Sequence, residues 1–272
     1  MTICLLGCNG QLGHELMKVM KYKEVVGFGK GNLDITNLDK LYKTLKTIKP
    51  ETIIHSAAFT DVDQCENNPE LAFQINAQGT KNVSLVAEKL DSKLIYISTD
   101  YVFDGNKGSP YDENDLPNPI NVYGMSKYQG ESELKKNLEK YFIVRTSWLY
   151  GHKGKNFVKT ILSLTSNNTL LKVVDDQTGS PTYAVDLAEA LKKLITTEEY
   201  GIYHFINEGN CTWYNFAKEI IKIRNISAKL SPTTSDIIQK KAKRPVNSSL
   251  KNNSYITLRG WQEALKEYLS SK

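Results

Sequence analysis

Three glycines at equal spacing, Gly7, Gly10 and Gly13, stand directly after the apolar run Thr2 to Leu6 and at the start of a helical pattern beginning at Gln11. A strand that ends on such glycines must turn tightly into a helix whose N-terminus is left open. That junction offers free backbone N–H groups and a partial positive charge, the usual seat of a dinucleotide diphosphate. A tight strand-to-helix turn with no ligand is the ordinary alternative, but the strand and helix flanks are those a binding loop requires.

The pattern that follows repeats the same unit. Strands are predicted at Thr2 to Leu6, Glu24 to Phe28, Thr52 to His55, Lys93 to Ile97 and Tyr141 to Val144, with helices between them. The first helix is expected from Gln11 to about Tyr22 and the second from Leu38 to Ile48. A long third one is expected from Leu71 to Leu90, with Leu71, Ile75, Val83, Val86 and Leu90 as its apolar stripe. Alternation of this kind gives a doubly wound α/β fold with a parallel sheet.

The Gly, Pro, Asn and Asp-rich stretch from Asp104 to Pro119 leaves the sheet before a helix near Asn121. Beyond Gly151 the elements become short and mixed: helices near Phe157 to Leu164, Val185 to Ile195 and Trp213 to Arg224, a strand at Leu171 to Val174, and a weakly structured tail. The expected organisation is an NAD(P)-binding Rossmann unit over residues 1–150, with segments near 170–200 returning to it. A small, discontinuous substrate-binding cap is expected over 151–272.

Composition narrows the class. The 272 residues are 40% hydrophobic and 24% charged, enough for a real core and against global disorder. No apolar run reaches membrane-spanning length and no signal peptide is legible, so a soluble cytoplasmic protein is expected. Cys4, Cys8, Cys65 and Cys211 form no C-x-x-C pair, and with four His no zinc-ligand spacing occurs. The net charge of +5 comes from dispersed lysines, which suits an anionic small molecule as well as a nucleic acid and by itself decides nothing.

Two further features point to carbonyl chemistry. Tyr123-Gly124-Met125-Ser126-Lys127 sets a phenol and an ammonium four residues apart at a helix start, on one face. A phenol is a poor acid–base group near neutrality until a cation stabilises its phenolate. Lys127 can be that cation and can also hold a nicotinamide ribose. Thr99 ends the fourth strand 24 residues upstream, facing the crevice where open α/β sheets bind ligands. At the end of the second strand, Gly27-Phe28-Gly29-Lys30-Gly31 carries no carboxylate until Asp34, so Lys30 favours NADPH over NADH. A solvated loop lysine is the plain alternative, as a helix cap is for Asp34.

With these residues in view the sequence resembles the extended short-chain dehydrogenase/reductases, and within them the reductases that complete dTDP-L-rhamnose synthesis. The resemblance is carried by Gly7-Cys8-Asn9-Gly10-Gln11-Leu12-Gly13, Leu33-Asp34-Ile35-Thr36, Ser56-Ala57-Ala58-Phe59-Thr60-Asp61-Val62-Asp63, Ser98-Thr99-Asp100-Tyr101-Val102-Phe103-Asp104-Gly105, Tyr123 to Lys127, Arg145-Thr146-Ser147-Trp148-Leu149-Tyr150-Gly151 and Asp176-Gln177-Thr178-Gly179-Ser180-Pro181-Thr182.

The resemblance implies reduction of the C4 keto group of dTDP-4-dehydro-6-deoxy-L-mannose. Tyr123 would give the proton, Lys127 tune the phenol and Thr99 orient the carbonyl. Gly10, Gln11 and Leu12 would meet the diphosphate, Asp34 and Ile35 the adenine end, and Ala58, Phe59 and Thr60 the cofactor along the third strand. Asp100 and Trp148 would hold the sugar, an indole face stacking on the ring's C–H face.

Tyr101 follows Asp100 where the related 4,6-dehydratases carry Glu, which argues against dehydration, and Phe59 stands where relatives often have His. Lys240, Lys241, Lys243 and Arg244 read more readily as a solvated basic face than as a diphosphate site. Some relatives form magnesium-bridged homodimers; Glu15 alone offers a carboxylate for that, so no metal is assigned and a homodimer stays open. The alternatives are a reductase or epimerase of another nucleotide-linked keto sugar, and a non-catalytic NADP-binding regulatory subunit.

Overall fold

The computed structural model describes residues 1–21, 24–167 and 170–271. Six strands form one parallel sheet: β1 (Thr2–Leu6), β2 (Glu24–Phe28), β3 (Thr52–His55), β4 (Lys93–Thr99), β5 (Tyr141–Thr146) and β6 (Gly201–His204). Their spatial order is β6-β5-β4-β3-β1-β2, so the winding reverses between β1 and β3. Ligands bind at such a switch point, outside the carboxyl ends of the strands.

The helices are α1 (Gln11–Val19), α2 (Leu38–Ile48), α3 (Val62–Asn67), α4 (Pro69–Phe73), α5 (Gly79–Lys89), α6 (Val122–Asn137), α7 (Phe157–Asn167), α8 (Ala184–Leu194), α9 (Trp213–Ile223), α10 (Ser235–Ile238) and α11 (Trp261–Ser270). Side chains alternate across a strand, and both faces of this sheet are covered. Ile3, Leu5, Ile54, Ile95 and Phe142 face α1 and α8, where Leu12, Leu16, Leu187 and Leu191 close one core. Cys4, Leu6, Ile53, Leu94 and Ile143 face the other way, onto Leu41 and Leu45 of α2, Val83 and Val86 of α5 and Leu134 of α6.

A third core, separate from the sheet, joins α7, α9 and α11 through Val158, Ile161, Phe216, Ile220, Leu265 and Leu269. A short parallel pair, Leu170–Val174 with Lys229–Thr233, covers it.

Four expectations need correction. The tail is not weakly structured: Trp261, Ala264, Leu265, Tyr268 and Leu269 recur at helical spacing and are buried on α11. The sheet gains β6, paired with β5 from Gly201↔Phe142 to His204↔Arg145. Helix α1 stops at Val19, Tyr22 lying outside the described residues. The long third helix is interrupted by a π turn at Gln74–Gln78 between α4 and α5, and Leu71 of its expected stripe is exposed.

Candidate active site

The glycine loop is shaped by contacts that no side chain fits. Gly7 has φ +93°, in the region open to glycine, and a Cβ there would stand 2.7 Å from the Ala57 amide nitrogen. A Cβ on Gly13 would stand 2.2 Å from the Gly7 carbonyl oxygen. The Gly7 and Cys8 amides donate to the Phe28 carbonyl, which ties the loop to the end of β2. Gly10 caps α1 without any side-chain hydrogen bond, so the opening turn keeps its amides for a ligand. This cradle fits a dinucleotide diphosphate. Gly13→Ala is therefore expected to weaken NADPH binding by about 10-fold or more, since overpacking commonly costs 1–3 kcal/mol; titration calorimetry reads this directly.

The other expected cofactor residues are distributed unevenly. Leu12 is buried in the core, leaving only its backbone to the loop. Gln11 turns its side chain to the cap, donating to the Leu149 carbonyl at 2.9 Å and accepting from Asn156 at 3.0 Å. Lys30 is exposed and close enough to Asp34 to lower its pKa, although the Thr36 amide has the larger effect. Asp34 accepts from the Thr36 amide and hydroxyl, while Asn37 caps α2, so Asp34 is not the helix cap. Ile35 packs into the core below α5.

Ala58, Phe59 and Thr60 follow β3, and their backbone is clamped by a residue not singled out from sequence. Asn76, inside the π turn, accepts from the Phe59 amide at 2.8 Å and donates to the Phe59 carbonyl at 3.0 Å. Its amide also reaches Ser126, one residue before Lys127. The wide turn thus joins the cofactor strand end to α6, in keeping with the habit of π turns to occur at functional sites.

Tyr123 lies near Thr99, and Lys127 follows one turn along α6 with its Nζ held at the Ile97 carbonyl of β4. Thr99 accepts from the Tyr101 amide at 3.2 Å. Burial pushes the Tyr123 phenol well above its ordinary pKa, with Thr99 pulling the other way. Asn121 caps α6 through the Gly124 amide and so fixes the turn that carries Tyr123. Gly124 lets that turn press on the Tyr101 carbonyl, which a Cβ would meet at 2.0 Å.

Lys127 is 2% exposed; its Nζ donates to the Ile97 carbonyl at 2.7 Å and lies 4.0 Å over the Tyr96 ring. Burial lowers its pKa to about 7, opposed by the Glu131 charge. Glu131, one turn along α6, is fully buried, as is its partner Arg145. The pair is bidentate at 3.0 and 2.8 Å, and Ser98 donates to Glu131 at 2.6 Å. Burial pushes the Glu131 carboxyl up, but Arg145 and Ser98 outweigh it and hold it ionised. Arg145 is therefore a structural anchor.

The expected sugar contacts are arranged differently. Asp100 is buried with both oxygens engaged, one by Thr99 at 3.0 Å and one by Ser248 at 2.5 Å, so its carboxyl lies behind Thr99 rather than open to a sugar. Trp148 adopts φ +45° and stacks on Trp213 with ring centres 3.4 Å apart. Gly179 packs against the same indole, so face stacking on a sugar is restricted and Trp213 lines the cavity instead.

That cavity, about 940 Å³, opens beside Tyr101 between α7 and the 235–246 segment. Lys240, Lys241 and Lys243 are exposed, as a solvated basic face would be, and with the half-buried Arg244 they also border this cavity. Arg244 pairs with Asp63 of α3 at 2.7 and 2.9 Å. Among the described residues no three His, Cys, Asp or Glu side chains group as metal ligands; Glu15 is buried against Lys18.

Residues 1–272 match the family described as the RmlD substrate binding domain. The chain belongs to this family. A dTDP-4-dehydrorhamnose reductase of Aggregatibacter actinomycetemcomitans is 40% identical, covering 97% of each chain. The spore coat polysaccharide biosynthesis protein SpsK of Bacillus subtilis is 38% identical over 99% of this chain and 97% of its own. The crystal structure of the dTDP-4-dehydrorhamnose reductase of Bacillus anthracis in complex with NADP superposes with a TM-score of 0.96 at 42% identity, covering 98% and 99% of the two chains. Members of this RmlD family thus include solved proteins with the same fold over nearly the whole length.

Proposed function

We propose that the protein reduces the C4 keto group of dTDP-4-dehydro-6-deoxy-L-mannose to dTDP-L-rhamnose, with NADPH preferred and NADH also accepted. What supports this is Tyr123 near Thr99 at the carboxyl end of β4, with Lys127 one turn further on at the Ile97 carbonyl, together with a glycine cradle at the carboxyl end of β1 that suits a backbone-hugging ligand. The names of the full-length relatives supply the substrate class.

Gly7, Gly10, Gln11, Leu12 and Gly13 hold the diphosphate through backbone groups. Lys30, Asp34 and Ile35 flank the adenine end, and Ala58 to Thr60 line the path towards the nicotinamide. When bound, the cofactor supplies the hydride. Tyr123 donates its proton to the oxygen on which charge develops, Thr99 orients that oxygen, and the buried ammonium of Lys127 favours the phenolate left behind. Residues 1–150 with β6 and α8 form the cofactor unit; the remainder forms the sugar-nucleotide cap, whose lysines and Arg244 meet the diphosphate of the substrate.

The test supplies the purified protein with the keto sugar, generated from dTDP-glucose by the two preceding enzymes, and follows oxidation of NADPH and NADH. Consumption of NADPH faster than NADH, with dTDP-rhamnose formed, is expected. Binding of both cofactors with no consumption would leave the protein a non-catalytic binder and overturn the reading.

A further inference from the structure

The 235–246 segment that borders the cavity is tied to the cap at both ends. One oxygen of Asp176 accepts from the Ser235 amide and hydroxyl, each at 2.9 Å, and the Val246 carbonyl accepts from the Thr178 amide at 2.8 Å. Between these ends the chain crosses to the cofactor unit, where each residue from Lys241 to Arg244 is held. Lys241 donates to Asn67, the Ala242 amide donates to Asp63 at 3.0 Å, and Asn121 donates to the Lys243 carbonyl at 2.9 Å. Arg244 closes the row with its two bonds to Asp63, at 2.7 and 2.9 Å.

The elements that receive this segment also start the helix of the proposed proton donor. Glu66, three residues along α3 from Asp63, accepts from the Val122 amide at 2.8 Å. Asn121 caps α6 at the Gly124 amide while it holds Lys243. α3 itself begins directly after Ala58 to Thr60, with Asp61 as its cap. The lysines on the cavity wall and the turn that carries Tyr123 are thus both fastened to one short helix.

We propose that Asp63 is a positioning residue for the sugar nucleotide: through Arg244 and the Ala242 amide it clasps residues 241–244 onto α3, and so fixes the basic wall of the cavity relative to Tyr123. The ligand in this statement rests on the reductase reading above; the clasp does not. Lys240, Lys241, Lys243 and Arg244 put four cations within five residues, a run that repels itself unless a counter-charge meets it. Asp63 supplies one, and a carboxylate against a guanidinium fork is the strongest and most directional form of such a contact. Arg244 holds the Asp63 carboxyl down at about 2, so the pair stays charged through the neutral range. The Asp63 side chain is 30% exposed, so its replacement opens no core.

Asp63→Asn keeps the shape and one acceptor but turns an amide NH2 towards a guanidinium that can only donate, so the fork cannot close. Hydrogen exchange of the protein without ligand, read by mass spectrometry, is expected to quicken by about 10-fold or more over residues 235–246, the scale of a lost charge-assisted hydrogen bond. Peptides of β4 and β5 are expected to exchange as in the wild type. Arg244→Met is expected to loosen the same segment, and Asp63→Asn to add little in that background. Unchanged exchange over 235–246, equal loosening of the sheet, or full additivity of the two substitutions overturns the clasp.

Ligand binding reads the consequence. Asp63→Asn is expected to weaken the binding of dTDP and to raise KM for the keto sugar by about 10-fold, with kcat and the Kd of NADPH held within a few fold. A loosened segment with unchanged dTDP affinity, or a loss of kcat at constant KM, overturns the positioning role. A wild type that binds dTDP without reducing the keto sugar faults the reductase reading alone.

Discussion

Tyr123→Phe is expected to bind NADPH as the wild type does and to lose turnover by about 10²–10⁴-fold, the range that follows loss of a positioned proton donor. The substitution removes one oxygen and keeps the ring. The edge contact with Tyr101, at 6.0 Å between ring centres, is preserved. The cradle at Gly7 and Gly13 and the buried Lys127 are untouched, so fluorescence titration of NADPH should show an unchanged Kd. A loss of kcat with KM held steady separates the missing proton from a disturbed pocket. Turnover within a few fold of the wild type would remove Tyr123 from the mechanism.

Glu131→Ala is expected to cost about 3–5 kcal/mol of stability, because it leaves the Arg145 guanidinium buried without its counter-charge. The two side chains are 0% and 1% exposed and share two hydrogen bonds, while Ser98 loses its acceptor in the same step. Ser98 and Arg145 face each other in the β4–β5 register, immediately before Thr99, so the damage falls at the base of the site. Urea unfolding followed by circular dichroism measures the loss. The double replacement Glu131→Leu with Arg145→Met is expected to recover most of it, since a packed apolar pair carries no desolvation penalty. Equal instability in the single and double variants would show that packing, not charge, dominates there.

The parts of the fold that were legible in the sequence are those fixed by local periodicity. Five strands of the sheet announce themselves as apolar runs between helical patterns, and their ends are right to within two residues. β6 does not, because Gly201-Ile202-Tyr203-His204 is four residues long and becomes a strand only by docking on β5. The π turn is equally invisible, being an extra residue accommodated in a helix for the sake of Asn76. Helix α11 is legible in the spacing of Trp261, Leu265, Tyr268 and Leu269, although the tail before it is irregular.

The site divides along the same line. The glycine loop and the Tyr123–Lys127 spacing are local features, and Tyr123 lies near Thr99 at the end of β4. Asn76 reaches Ser126 across 50 residues and Ser248 reaches Asp100 across 148, distances at which no sequence spacing carries information. The sugar contact expected of Asp100 gives way to Thr99 and Ser248, an arrangement that only the fold shows. Trp148 was likewise given a free face that Trp213 covers.

The proposed reaction delivers hydride to C4 of the keto sugar with a proton from Tyr123. The most direct test is turnover with NADPH carrying deuterium at the transferred position, followed by mass spectrometry and NMR of the sugar product. One deuterium at C4 of dTDP-L-rhamnose, at full occupancy and nowhere else, is the predicted result. Product free of deuterium, or an epimerised ketone with the label left on the cofactor, would contradict it.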